Sequence, residues 1–225
     1  MSETDLDDLT QWRAGDRAAG TRLFRRYLPD VRSFFVNKAP REDLDDLVQE
    51  TFMGCVRGRE QFRGDVKFRT YLISIARRVL ANFYRARKSR HVRDHVDIDS
   101  HEVADTGPRV GALIAKSRQH ELLVTAMRAI ELDDQIMLEL YYWQNWTAEE
   151  IGVVYEMALG TIRGRIARAK KNFRAELERT AGSLDEFHTT FAAFEAKTWA
   201  AEIHAQLENY EPKHFRRVAA TQGAK

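Results

Sequence analysis

Cysteine is nearly missing from this chain: Cys55 is the only one in 225 residues. One thiol excludes an intrachain disulfide framework and a cysteine-based zinc finger. Proline is almost as scarce, with four in the chain, and strand-like alternation of apolar and polar residues does not occur. Both features predict helix nearly throughout. No apolar run is long enough to suggest a membrane span. The stretch from Met1 to Leu9 is acidic and polar, unlike the basic-then-apolar pattern of a signal peptide, so a cytoplasmic protein is expected. The sequence also lacks a Gly-rich phosphate loop and a nucleophile arrangement, which argues against an enzyme and against a bound cofactor or metal. Neither sign of charge dominates, the net value being only +2.

What the chain does contain is pattern. With 44% hydrophobic residues it can build one or two small cores. Acids gather near Asp5 to Asp8, from Glu42 to Asp46 and from Asp94 to Asp105, and bases gather from Arg77 to Arg93 and from Arg163 to Arg174. Two basic blocks far apart in sequence predict two separate contacts with a polyanion. Helical spacing predicts helices over 6–14 and 17–38, separated by Gly15-Asp16, with Ala39-Pro40 ending the second. Another begins near Glu42, and one carrying Phe68, Leu72, Ile75, Ala76 and Val79 runs into the first basic block. Residues 93–117 are polar, acidic and contain Thr106-Gly107-Pro108, the composition of a linker. Helices then return, with Leu122, Leu123, Ala126, Met127 and Ile130 on one stripe. Asp133 stands as the expected N-cap of a helix that buries Ile136, Met137 and Leu140.

The sharpest local signal runs from Thr147 to Phe173. Thr147 and Glu150 have the spacing of a capping box. A two-turn helix follows, with Ile151 and Val154 inward and Gly152 small enough to admit a close crossing. After a turn near Tyr155 to Met157, a second helix opens near Ala158 with Ile162, Ile166, Ala169 and Phe173 inward. Its outer face carries Thr161, Arg163, Arg165, Arg168, Lys170 and Lys171. Such a helix-turn-helix suits the major groove, where arginine forks match the acceptors of guanine and other cations neutralise phosphates.

The N-terminal half sharpens the reading. Asp43-Leu-Asp-Asp-Leu-Val-Gln-Glu-Thr-Phe52 precedes Phe62-Arg-Gly64, Phe68-Arg-Thr-Tyr-Leu72 and Ile75-Ala-Arg-Arg78. This order resembles region two of the extracytoplasmic-function (ECF) sigma factors of bacterial RNA polymerase. The stretch from Glu150 to Lys170 resembles their region four, and the likeness spans about residues 6 to 177. The resemblance implies an all-α, non-enzymatic initiation factor of two small helical domains. A region-two-like domain would cover 1–92, the linker 93–117, a region-four-like domain 118–180 and a C-terminal helical extension 181–225. Implied partners are core RNA polymerase, through the coiled coil of its largest subunit and its flap, promoter DNA, and an anti-sigma protein.

Site residues follow from the same likeness. Asp43, Asp46, Leu47, Gln49 and Glu50 fall where the family grips the polymerase coiled coil, and acids and an amide suit a basic helix pair. Arg69, Arg77, Arg78, Asn82, Arg85, Arg87 and Lys88 fall in the segment that melts and reads the minus-ten element. There Phe68, Tyr71, Phe83 and Tyr84 offer rings for stacking, some of them needed for the core. Thr161, Arg163, Arg165, Arg168 and Lys171 fall where the minus-thirty-five element is bound. The match is not complete: Arg78 stands where Asn is common, Tyr71 where Trp is, Gly152 where Ala is, Ala158 where Pro or Ser is, and Gly164 where Ser is.

Other readings use the same residues. A free-standing helix-turn-helix regulator would need no polymerase, and the segments 43–52 and 68–90 argue against it. His91, His95, Asp97, Asp99 and His101 could be grouped as a metal cluster, though they fall in the expected linker. The acids from Asp94 to Asp105 could mimic nucleic-acid charge inside the polymerase or form a plain tether. In the tail, Ser183 and Glu186 repeat the capping-box spacing, and Phe187, Phe191, Phe194, Trp199, Ile203, Leu207 and Tyr210 form a roughly helical stripe. That helix either extends the core of the helix-turn-helix domain or lies against the N-terminal half or the linker as a regulatory element.

Overall fold

A computed structural model describes residues 3–36, 38–93 and 118–196, except for the side chains of 89–93. The described residues are helical with no strand, as the scarcity of proline and of alternation predicts. They form two compact units. The first holds residues 3–35 and 39–93; the second holds 118–196 together with Val36 and Lys38. The acidic segment 94–117 and the tail 197–225 lie outside the described residues.

The first unit contains α1 (Glu3–Arg13), α2 (Arg17–Phe35), α3 (Leu44–Gly58) and α4 (Phe68–Arg93). Gly15 takes a φ of 104°, and the Asp16 side chain accepts from the Ala18 N–H at 2.8 Å, so the predicted break is also the cap of α2. The helix stops at Phe35, three residues before the expected end at Lys38. Helices α2, α3 and α4 enclose Leu23, Phe34, Phe52, Phe68, Leu72, Ile73 and Leu80. Helix α1 lies along α2, where a Cβ on Gly20 would come within 2.6 Å of the Trp12 indole. The acids near the N-terminus are structural: Asp5 accepts from Arg26 (2.6 Å) and Tyr27 (2.6 Å), and Asp8 accepts from Arg22 (2.7 Å) and Arg26 (2.9 Å).

The second unit contains α5 (Arg118–Ala129), α6 (Leu132–Leu138) continued by a π-helical turn (Glu139–Trp143), α7 (Ala148–Tyr155), α8 (Leu159–Thr180) and α9 (Leu184–Glu195). The long helix α8 is the hub, touching α5, α6, α7 and α9. Leu122, Leu123, Ala126 and Met127 meet Ala169, Phe173 and Leu177 in one core. Two expected caps differ. Glu131, not Asp133, stands at the N-cap of α6, and no side chain caps it there. Ser183 Oγ accepts from the Glu186 N–H at 3.1 Å, but the Glu186 carboxylate takes the N–H of Gly182 at 2.6 Å, so the box closes one residue early.

Residues 184–195 form the first part of the expected tail helix. Helix α9 packs on α5 and α8, with Phe187 and Phe194 buried in the same core and Phe191 against its edge. These contacts are those of the first reading, in which the helix extends the core of the helix-turn-helix unit. The physical reason is apolar: three phenylalanines at helical spacing match the ring of Phe173, 4.4 Å from Phe194. Trp199, Ile203, Leu207 and Tyr210 lie outside the described residues.

Candidate nucleic-acid interface

In the second unit the helix-turn-helix is built as its sequence predicts. Thr147 Oγ1 accepts from the Glu150 N–H at 3.2 Å, and the Glu150 carboxylate accepts from the Thr147 N–H at 2.9 Å. This closed capping box starts α7. Glu156 ends it in the left-handed conformation at a φ of 55°, and Ala158 opens α8 without a side-chain cap. A Cβ on Gly152 would lie 3.0 Å from the Met157 carbonyl oxygen, so the small residue serves the turn itself as much as the helix crossing. Ile162, Ile166, Ala169 and Phe173 are buried, and the opposite face of α8 is open to solvent.

That open face holds Thr161, Arg163, Arg168 and Lys171, all exposed, with Gly164 between them and open space beyond it. Arg165 is half-buried on the flank. Two of the arginines already have acids nearby. Arg163 lies 3.6 Å from Glu149, and Arg168 lies 3.9 Å from Asp134, a carboxylate that is 2% exposed and also accepts from Asn172 at 2.9 Å. Lys170 faces α9 rather than the open side and pairs with Glu195.

In the first unit, α4 separates the expected minus-ten residues into two sets. At about 3.6 residues per turn, Arg78, Asn82 and Arg85 share one stripe. All three are exposed, as is Lys88 to one side of them, while Arg77 is half-buried. Arg69 and Arg87 are 18 residues apart, about five turns, and so lie together on the opposite, inward side. Arg69 is paired with Asp30 of α2 at 2.7 Å, and Arg87 with Asp43 at 3.4 Å. Helical phase turns these two arginines toward neighbouring carboxylates of their own unit. The aromatics divide likewise. Phe68 is fully buried, and Tyr71 stacks on Phe62 with centroids 4.6 Å apart, its phenol pushed up by burial. Phe83 and Tyr84 remain half-buried, with the Arg87 guanidinium 5.1 Å from the Phe83 centroid.

The expected polymerase face on α3 is an exposed stripe of Asp46, Gln49 and Glu50. Leu47, expected in the same set, is 3% exposed and packs in the core beneath that stripe. Asp43 is half-buried against Arg87 and ties the start of α3 to α4. Sequence reasoning missed Met53, which is 39% exposed one turn beyond Glu50 on the same stripe. Periodicity had no way to mark it, because a methionine at that spacing reads equally well as core. It also missed Arg13, whose guanidinium donates to the carbonyls of Arg59 (3.0 and 2.7 Å) and Phe62. That contact shapes the turn before α4 across 46 residues of sequence, and no local signal announces it. Of the histidine and aspartate group near the linker, only His91 falls in a described helix, and the side chains all lie outside the described residues. No described helix is long and apolar enough to cross a membrane.

Comparison with known proteins places the chain among sigma factors. The Sigma-70 region 2 family matches residues 23–90. An ECF RNA polymerase sigma-E factor of Salmonella typhimurium is 31% identical over 182 residues, covering 76% of this chain and 94% of the relative. That of Escherichia coli gives the same identity and coverage, and that of Haemophilus influenzae is 25% identical over 183 residues, covering 78% and 96%. Among solved structures, CnrH in complex with the cytosolic domain of CnrY aligns with a TM-score of 0.56 at 20% identity, covering 80% of this chain and 100% of that one. The sigma factor RpoE of Bartonella quintana, in complex with the anti-sigma factor NepR, aligns at 0.53 and 21% identity, covering 70% and 96%. Both likenesses are of fold.

Proposed function

The chain belongs to the ECF sigma factors, which direct transcription by RNA polymerase, and we propose that it does so by holding core enzyme through α3 and contacting promoter DNA through α4 and α8. The observation that carries this reading is the open, basic face of α8 on a capped helix-turn-helix. Arg163 sits in the first turns, where a recognition helix meets base edges, while Arg168 and Lys171 lie farther along, where phosphates pass. On α4 the Arg78, Asn82 and Arg85 stripe offers cations and one amide for a melted strand, with Phe83 and Tyr84 as adjacent ring surface. On α3 the exposed acids Asp46 and Glu50, beside Gln49 and Met53, form a rim-and-apolar patch suited to a basic helix pair. The factor itself performs no bond chemistry in this reading; it works by differential binding. A protein regulator of the anti-sigma type is a further partner we propose on family grounds.

Two substitutions test it. Asp46→Lys should weaken association with core polymerase, measured by sedimentation, and leave the thermal melt of the free chain unchanged, since Asp46 is exposed. An unaltered affinity for core would remove α3 from the interface. Arg163→Ala should cost roughly 1–3 kcal/mol on a preferred duplex if it reads a base, whereas Arg168→Ala should weaken all duplexes alike. Binding measured by anisotropy on matched and scrambled duplexes separates the two, and indifference of both variants would displace α8 from the DNA.

A further inference from the structure

The bases of α8 do not all face the open side. Arg163, Lys170 and Arg174, at spacings of seven and four, share one flank of the helix. Arg163 lies at the end expected to meet DNA, but the other two are engaged by α9. Lys170 Nζ donates to Glu195 Oε1 in the last turn of α9 and lies 5.7 Å from the Phe191 ring centroid. The Arg174 guanidinium lies 5.8 and 5.6 Å from the centroids of Phe187 and Phe191. Helix α9 therefore runs antiparallel to α8, with Phe187 opposite Arg174 and Glu195 opposite Lys170.

A carboxylate and two ring faces are chemically poor copies of a phosphate, but they attract the same cations. The Lys170 and Glu195 side chains are 35% and 46% exposed, so water and ions reach the pair and it can open. We propose that α9 is a built-in competitor for the DNA backbone: Glu195 and the Phe187–Phe191 ring pair hold Lys170 and Arg174, cations that a phosphate would otherwise take. Under this proposal α9 sets how many phosphates α8 neutralises. It confines duplex contact to the reading end of the helix and lowers sequence-independent binding, which depends on cation number. The proposal rests on the reading of α8 as the DNA helix.

The test uses the full-length chain and a mixed-sequence DNA duplex, with affinity followed by anisotropy across a salt series. Glu195→Gln removes the anion and leaves the ring contacts and the fold, which an unchanged thermal melt verifies. The slope of log K against log salt should steepen by about 0.9 for a phosphate gained. Adding Lys170→Gln to Glu195→Gln should return the slope to its starting value. If Glu195→Gln leaves the slope unchanged while Arg163→Ala still weakens binding, the competitor role is overturned and α9 is a core element alone. If Arg163→Ala has no effect either, the DNA assignment of α8 falls, and this proposal with it.

Discussion

Replacing Phe194 by alanine should destabilise the second unit by about 3–5 kcal/mol. The ring is fully buried, with its centroid 4.4 Å from Phe173 and 4.5 Å from Tyr142. Phe187 is buried in the same core, and the Lys170–Glu195 pair lies at the edge, so Phe194 is the deepest of the contacts that hold α9. Its polar ties to α5, Arg118 to Glu186 at 3.1 Å and Gln119 to the Thr189 carbonyl at 3.2 Å, are exposed, and such bonds contribute about 1 kcal/mol or less each. The apolar wedge therefore dominates, and its loss leaves a cavity between helices that cannot close without moving α8. Leu184→Ala, at a residue 69% exposed on the same helix, should change stability by less than about 0.5 kcal/mol. Urea unfolding of the two variants checks the contrast. Equal midpoints would mean that α9 adds nothing to the core.

Alkaline pH should weaken the first unit through Cys55. Burial pushes its thiol up from 9.0 to about 12, and the side chain is wholly enclosed by the core. The unfolded chain gives up this proton above about pH 9 while the folded chain keeps it, so unfolding is linked to proton release. The stability is fully present below about pH 9 and is lost as pH rises toward about 12. At about 1.4 kcal/mol per pH unit, the loss totals about 4 kcal/mol. Burial raises the phenols of Tyr27 and Tyr71 as well, which adds a loss of the same sign above about pH 10. Unfolding midpoints from about pH 8 to about pH 11, compared with Cys55→Ala, measure the thiol's share as the difference in slope. Parallel slopes would show that the fold does not hold the proton. The same burial makes Cys55 a poor redox sensor, since a thiolate is the reactive form.

The sequence by itself determined the helical class, most helix positions and the helix-turn-helix, because these rest on local rules. Capping between Thr147 and Glu150 spans three residues, a break at Gly15 spans two, and a stripe such as Ile162, Ile166, Ala169 and Phe173 repeats with the helix turn. The exposed set of Arg163, Arg168, Arg78, Asn82 and Arg85 was legible for the same reason, as was the acidic stripe of Asp46, Gln49 and Glu50. Only the tertiary structure decided which charged side chains are spent inside the protein. That Asp30 stands beside Arg69, Asp43 beside Arg87 and Glu195 beside Lys170 is visible only in the fold. The burial of Leu47 appears only once the core has closed over it. The Arg13 clamp on the Arg59 and Phe62 carbonyls has no sequence signature at all, since its partners are backbone atoms that every residue carries. Pairing across distant segments depends on which carboxylate or carbonyl the fold brings within hydrogen-bond reach, and a periodic pattern along one helix carries no record of its neighbours.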